Sequence, residues 1–135
     1  MTLPTTLPIT PSFRLDGRRA LVTGGSKGLG LAAAAALVQA GASVTLVARQ
    51  ASELIAACEL LTETASVNSN QKQAIQHAAL DVTDSKAVTS WMAQDIAQHG
   101  PFDILVNNAG MNKPSTLMDM KDADLDAVKI GRAHV

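Results

Sequence analysis

The run Thr23-Gly-Gly-Ser-Lys-Gly-Leu-Gly30 constrains this chain more than any other stretch. An apolar trio, Ala20, Leu21 and Val22, leads into it, and an alanine-rich run at residues 31–38 leads out. That order predicts a strand, a glycine loop and a helix. Gly24, Gly28 and Gly30 leave the backbone free to turn sharply and to approach a ligand where a Cβ would collide. The helix that follows offers unpaired N–H groups and a positive dipole end of roughly half a charge, so the loop is predicted to receive a phosphate. Glycine spacing alone is common in tight turns, and the reading therefore depends on what the other segments supply.

At 135 residues, 47% of them hydrophobic, the chain is sized for one domain with its own core. A net charge of -1 with no block of like charge argues against nucleic-acid and anionic-membrane partners and favours small metabolites. Cys58 is the single cysteine, and no cysteine and histidine cluster has metal-ligand spacing, so a cytoplasmic protein without a metal site is expected. Residues 1–12 hold Pro4, Pro8 and Pro11 but no Lys or Arg. They read as a flexible lead-in rather than a signal peptide or a membrane span.

Asp16-Gly17 marks a turn before a first strand at residues 19–23. The helix after the glycine loop is expected to stop at Gly41. Residues 43–48 (SVTLVA) are short, apolar and β-branched, the pattern of a strand buried on both faces. Leu54, Ile55, Cys58 and Leu61 recur at helical spacing across residues 51–64 and predict a second helix that buries this stripe. Cys58 then reads as a core or half-buried thiol, not a nucleophile. Residues 66–72 read as a polar loop and residues 74–82 as a third strand, with Thr83 or Asp84 capping a third helix. Val88, Trp91, Met92 and Ile96 share a face of that helix, which is expected to end near His99-Gly100 because Pro101 bars continuation. His77 and His99 read as solvated or capping residues. Residues 102–106 (FDILV) form a fourth strand that runs into Asn107-Asn-Ala-Gly110.

Strand and helix thus alternate, which predicts an α/β fold: a Rossmann-like, doubly wound parallel sheet, present as its first four strands and their helices. Ligands of such sheets lie at the carboxyl ends of the strands, near the switch point. The glycine loop, Arg49, Asp81 and residues 107–110 all fall at those ends.

In dinucleotide-binding folds an acidic residue about twenty positions beyond the loop holds the adenosine ribose and selects NAD. Ala48 and Arg49 stand there instead. No carboxylate repels a 2′-phosphate, and a guanidinium is available to grip it, so NADP is favoured over NAD. Lys27 adds positive charge on the same side. Asp81 is suited to accept from the adenine amino group, with the Val82 backbone lining the ring, or to open a helix, and the two uses are compatible. Asn107 and Asn108 carry short amides able to tie loops together, and Ala109 and Gly110 leave room for a flat ring. A P-loop triphosphatase fits poorly, because residues 25–30 lack the closing Gly-Lys-Ser/Thr.

In this order and separation, residues 23–30, Asp81-Val82 and Asn107-Asn-Ala-Gly110 resemble the short-chain dehydrogenase/reductase family across residues 13–128. The resemblance implies an NAD(P)-binding Rossmann domain, hydride transfer between a nicotinamide and a small alcohol or carbonyl substrate, and a homo-oligomer in the complete protein. By position it implies that Gly24, Ser26, Lys27, Gly28, Leu29 and Gly30 hold the pyrophosphate and adenosine ribose, Arg49 the 2′-phosphate, and Asp81 and Val82 the adenine. Asn107, Ala109 and Gly110 follow the cofactor toward the nicotinamide.

The family's chemistry rests on a serine and a Tyr-x-x-x-Lys motif, and this chain contains no tyrosine. No catalytic residue is therefore assigned. The expectation is the cofactor-binding part of an NADP-preferring reductase, marginally stable and without turnover of its own, with its fourth strand as an open edge. A non-catalytic NADP(H)-binding or regulatory module is the alternative. A further helix is expected from near Asp122, and Gly131 interrupts it. Residues 130–135 are the direct translation of ATC GGA AGA GCA CAC GTC, a stretch of a common sequencing adapter, so residues 129–135 are expected to be a non-native tail.

Overall fold

The structure is a computed structural model, and it describes residues 11–68 and 73–109. The first ten residues of the lead-in expected at residues 1–12, Gly110, the helix expected near Asp122 and the tail expected at residues 129–135 lie outside the described residues. Four strands, β1 (Arg19–Thr23), β2 (Ser43–Ala48), β3 (Ile75–Ala79) and β4 (Ile104–Asn107), alternate with three helices, α1 (Gly28–Gln39), α2 (Ala51–Asn68) and α3 (Ser85–His99). Every strand pair is parallel and the order is β3-β2-β1-β4. The chain steps outward from β1 to β3 and then returns to the opposite side of β1. With right-handed crossovers, that reversal puts α1 and α2 on one face of the sheet and α3 on the other.

The core lies between the sheet and the α1/α2 layer. Ala20 and Val22 of β1 and Val44 and Leu46 of β2 pack there with Ala34, Val38, Leu54, Ala57 and Leu61. Each buried Val or Leu in this set contributes on the order of 2 kcal/mol of transfer free energy. The alanines of α1 keep its axis close to the sheet. At the end of α1 the Ala42 N–H donates to the Leu37 carbonyl and the Gly41 N–H to the Val38 carbonyl, both at 3.0 Å. That pair of bonds is a Schellman stop at the expected glycine. The turn at Asp16-Gly17 also forms, with Arg18 N–H donating to the Leu15 carbonyl at 3.0 Å.

Several boundaries and faces differ from expectation. Helix α2 continues through Asn68 into the expected loop, because no Pro or Gly stands between Ala51 and Asn68 to stop it. Its buried seam is Leu54, Ala57 and Leu61, while Cys58 is half-buried and Ile55 is exposed. The small Ala57 is buried in that seam, and Ile55 faces outward. Strand β3 is shorter than residues 74–82: after Leu80 donates to the Ala48 carbonyl at 2.8 Å, the chain turns, with Asp84 N–H donating to the Asp81 carbonyl at 3.0 Å. Asp84 caps α3, its carboxylate accepting from the Ala87 N–H at 3.2 Å.

Helix α3 carries the largest departure. Its buried residue is Asp95, not Ile96, which is 40% exposed. The reason is Arg19, the first residue of β1. Its guanidinium lies 2.7 Å from Asp95 Oδ2, donates to the Gly100 carbonyl, and sits 4.1 Å over the Phe102 ring. Trp91 stacks on the same ring at 6.3 Å between centroids. His99, read from the sequence as a solvated or capping residue, places Nδ1 3.5 Å from Asp95 Oδ1 one turn away. Val88, Trp91 and Met92 of the expected face are half-buried, and an ionic and aromatic cluster fastens α3 to the amino end of β1. Among the described residues β4 is an edge strand with Leu105 44% exposed, and no helix is long and apolar enough to cross a membrane.

The Arg19–Asp95 pair is well shielded, with side chains 16% and 9% exposed. Replacing one partner strands the other charge, whereas replacing both with apolar residues does not. Asp95→Ala is expected to lower stability by about 3 kcal/mol in urea denaturation, and the double change Arg19→Met with Asp95→Leu by less than half of that.

Candidate functional site

Thr23 ends β1 with its hydroxyl directed at the end of β4. Thr23 Oγ1 donates to Asn107 Oδ1 at 2.9 Å and accepts from the N–H groups of Asn108 at 3.0 Å and Ala109 at 3.1 Å. One donor and two lone pairs are all used, so the hydroxyl clamps the β4 loop against the glycine loop. The register that brings them together pairs Thr23 with Asn107 on one side and Val47 on the other. Gly24 N–H donates to the Val47 carbonyl at 2.8 Å, so the loop is tied to β2 as well.

Beyond Gly24 the chain folds back on itself so tightly that only glycine fits at residue 30. A Cβ placed there would lie 2.0 Å from the Gly24 carbonyl oxygen and 2.9 Å from Asn108 Nδ2. Asn108 Nδ2 also donates to that carbonyl at 3.4 Å. Gly28 has φ of 60°, a left-handed conformation, and space for a side chain is not what limits it. The outcome is a helix N-terminus brought up against the ends of β1 and β4. Lys27 holds the N-cap position in extended backbone without a side-chain cap bond, and the first turn of α1 has no acidic residue. Its leading N–H groups and positive dipole end are therefore available to an anion.

The expected site residues sort themselves along the sheet ends. Gly24, Ser26, Lys27, Gly28, Leu29 and Gly30 form the loop and the first turn of α1, with Leu29 exposed. Arg49 follows β2 directly and is exposed, Asp81 and Val82 follow β3, and Asn107 and Ala109 stand at the end of β4. The loop lies between the ends of β2 and β4, and Asp81 lies one strand further out. Two of the charged residues have partners that the sequence did not suggest. Lys27 Nζ is 3.8 Å from Glu53 Oε1, and the Ser26 hydroxyl donates to Glu53 Oε2 at 3.3 Å. Asp81 Oδ1 accepts from the Thr83 N–H at 2.9 Å and from the Thr83 hydroxyl at 2.7 Å. These bonds, with a smaller pull from Arg49, hold the Asp81 carboxyl below its ordinary range.

Thr23 and Glu53 are the contributors outside the expected set, while Asn108 ties the β4 loop to the glycine loop as its short amide suggested. A hydroxyl at the last residue of a strand entering a glycine loop is the signal for Thr23, and an acid in the first turn of α2 is the signal for Glu53. Cys58 lies elsewhere, 3.6 Å from His77 Nδ1, and burial pushes its thiol up, in keeping with an unreactive role. Among the described residues no group of three His, Cys, Asp or Glu side chains is placed to hold a metal.

The Asp81 bonds have a pH signature. A carboxyl lowered in the folded state adds stability that is present above the ordinary value of about 3.9 and is lost as pH falls through the lowered value. In an NMR titration Asp81 should change charge below the ordinary range, and Thr83→Ala should move it upward; an unmoved titration contradicts the assignment.

The sequence model described as short chain dehydrogenase matches residues 18–129. An uncharacterized oxidoreductase of Mycobacterium tuberculosis is 36% identical over 129 residues, which are 93% of this chain and 46% of that protein. The crystal structure of L-sorbose reductase from Gluconobacter frateurii, complexed with NADPH and L-sorbose, superposes with a TM-score of 0.69 at 34% identity, covering 82% of this chain and 40% of that one. A metagenomic short-chain oxidoreductase in complex with NADP gives a TM-score of 0.72 at 34% identity, covering 87% and 50%. This chain thus spans about half, or less, of the length of the proteins it matches. Its parallel sheet, its glycine loop drawn against the end of β4 and the match over residues 18–129 agree, and the chain belongs to the short-chain dehydrogenase family.

Proposed function

We propose that this chain is the cofactor-binding part of an NADP-preferring oxidoreductase that moves hydride between a nicotinamide and a small alcohol or carbonyl. The observation that carries the proposal is the close approach of residue 30 to the Gly24 carbonyl, which admits no Cβ and draws the N-terminus of α1, without an acidic first turn, up to the ends of β1 and β4. In this reading Gly24, Ser26, Gly28, Leu29 and Gly30 receive the pyrophosphate through backbone N–H groups, and the dipole of α1 offsets its charge. Arg49, with Lys27, takes the 2′-phosphate by charge-assisted hydrogen bonds. Asp81 and Val82 border the adenine, and Asn107, Ala109 and Gly110 line the path toward the nicotinamide. The cofactor itself supplies the hydride chemistry, and these residues supply binding and orientation. Similarity to an NADPH-bound and an NADP-bound relative supports the choice of nucleotide.

Absence of tyrosine from the 135 residues supports binding without turnover for this chain, with catalysis belonging to a longer protein. In that complete protein we infer a cytoplasmic homo-oligomer acting on small molecules, with no nucleic-acid or membrane partner.

Arg49 makes the nucleotide preference testable. A bidentate guanidinium contact to a phosphate contributes about 1.5 to 3 kcal/mol. Arg49→Asp is therefore expected to weaken NADPH binding at least tenfold in calorimetric titration, and to leave NADH binding unchanged or improved. Equal weakening of both nucleotides contradicts the assignment.

A further inference from the structure

Glu53 sits in the first turn of α2, the helix that starts two residues after Arg49, and reaches back to the glycine loop. Its two oxygens hold two consecutive loop residues: Oε2 accepts from the Ser26 hydroxyl at 3.3 Å, and Oε1 lies 3.8 Å from Lys27 Nζ. The Lys27 side chain is 81% exposed and that of Glu53 only 36% exposed. The carboxylate is thus the better anchored member of the pair, and α2's N-terminal dipole favours a negative charge at its position. The same Lys27 is the loop's own cation, next to the N-terminus of α1.

We propose that Glu53 is a specificity-determining residue of the nucleotide site: its carboxylate competes with a 2′-phosphate for Lys27 and for the Ser26 hydroxyl, and so tempers the preference for NADP that the cations alone would set. This rests on the reading of the loop as an NADP cradle. The physical logic is a contest between two anions for one cation. A dinucleotide lacking the 2′-phosphate leaves the Lys27–Glu53 pair intact, whereas one carrying it must share or displace Glu53. The charge of Glu53 therefore acts against NADP and has little effect on NAD.

The test is calorimetric titration of the 135-residue chain and its Glu53→Gln variant with NADPH and with NADH at low ionic strength. Glutamine keeps an acceptor for Ser26 and removes the charge. NADPH binding should tighten about three- to tenfold and NADH binding should stay within about twofold, as expected for one screened charge near a surface. In a Lys27→Gln background the gain should shrink, because the competition runs through Lys27. If the unsubstituted chain binds NADPH but Glu53→Gln leaves the NADPH to NADH ratio unchanged, the proposal is overturned and the cradle stands. A parallel change for both nucleotides also overturns it, leaving Glu53 a support of the loop. Failure of the unsubstituted chain to bind either nucleotide removes the cradle reading, and the proposal with it.

Discussion

The carbonyl oxygen of Gly24 lies where any side chain at residue 30 would begin, and the carboxyl-end architecture of this molecule follows from that contact. A Cβ at 2.0 Å is far inside van der Waals distance, so a side chain there would push α1 away from the end of β1. With glycine, the first turn of α1 comes within reach of the β4 loop, and the Asn108 amide bridges to the same carbonyl. Thr23 then locks the arrangement by directing its hydroxyl at Asn107, Asn108 and Ala109. Steric permission at residue 30 and saturation of one hydroxyl at residue 23 are separate requirements. Together they place a helix N-terminus at the point where the strand order reverses.

The amino end of the sheet is organised by another kind of force. Arg19 gathers Asp95, the Gly100 carbonyl and the Phe102 ring, so the return of the chain from α3 into β4 is anchored by charge and ring stacking. A side-chain and a backbone bond at the same place join the strands: Arg19 N–H donates to the Asp103 carboxylate at 2.9 Å, and Asp103 N–H donates to the Arg19 carbonyl at 2.8 Å. The consequence reaches the opposite end of the strands. Because Arg19 and Asp103 fix how β4 lies against β1, Asn107 comes level with Thr23 and the clamp can close.

Which features were legible in the sequence follows from how local their causes are. The alternation of apolar strands with helical patterns, the glycine stop at Gly41 and the strand SVTLVA depend on neighbouring residues, and each forms where it is read. The seams of α2 and α3 depend on what the sheet presents to them. On α2 Ala57 is buried and Ile55 is not, and on α3 Asp95, paired with Arg19 76 positions earlier in the chain, is buried where Ile96 is exposed. The candidate site divides in the same way. Glycines, Arg49 and Asn107 carry recognisable chemistry in their own types and positions. The bonds from Ser26 to Glu53 and from Asn108 to Gly24 span 27 and 84 positions, and no local pattern encodes them.

The central claim is that the loop drawn against the end of β4 is where a dinucleotide phosphate binds. Backbone amide chemical shifts of the isotope-labelled chain, followed as NADPH is added, test it most directly. The amides of Gly28, Leu29 and Gly30 are predicted to move most, together with those of Asn108 and Ala109 across the Thr23 clamp. Shifts confined to another region, such as the Cys58 and His77 surface between α2 and β3, or no shifts at all, would contradict the account.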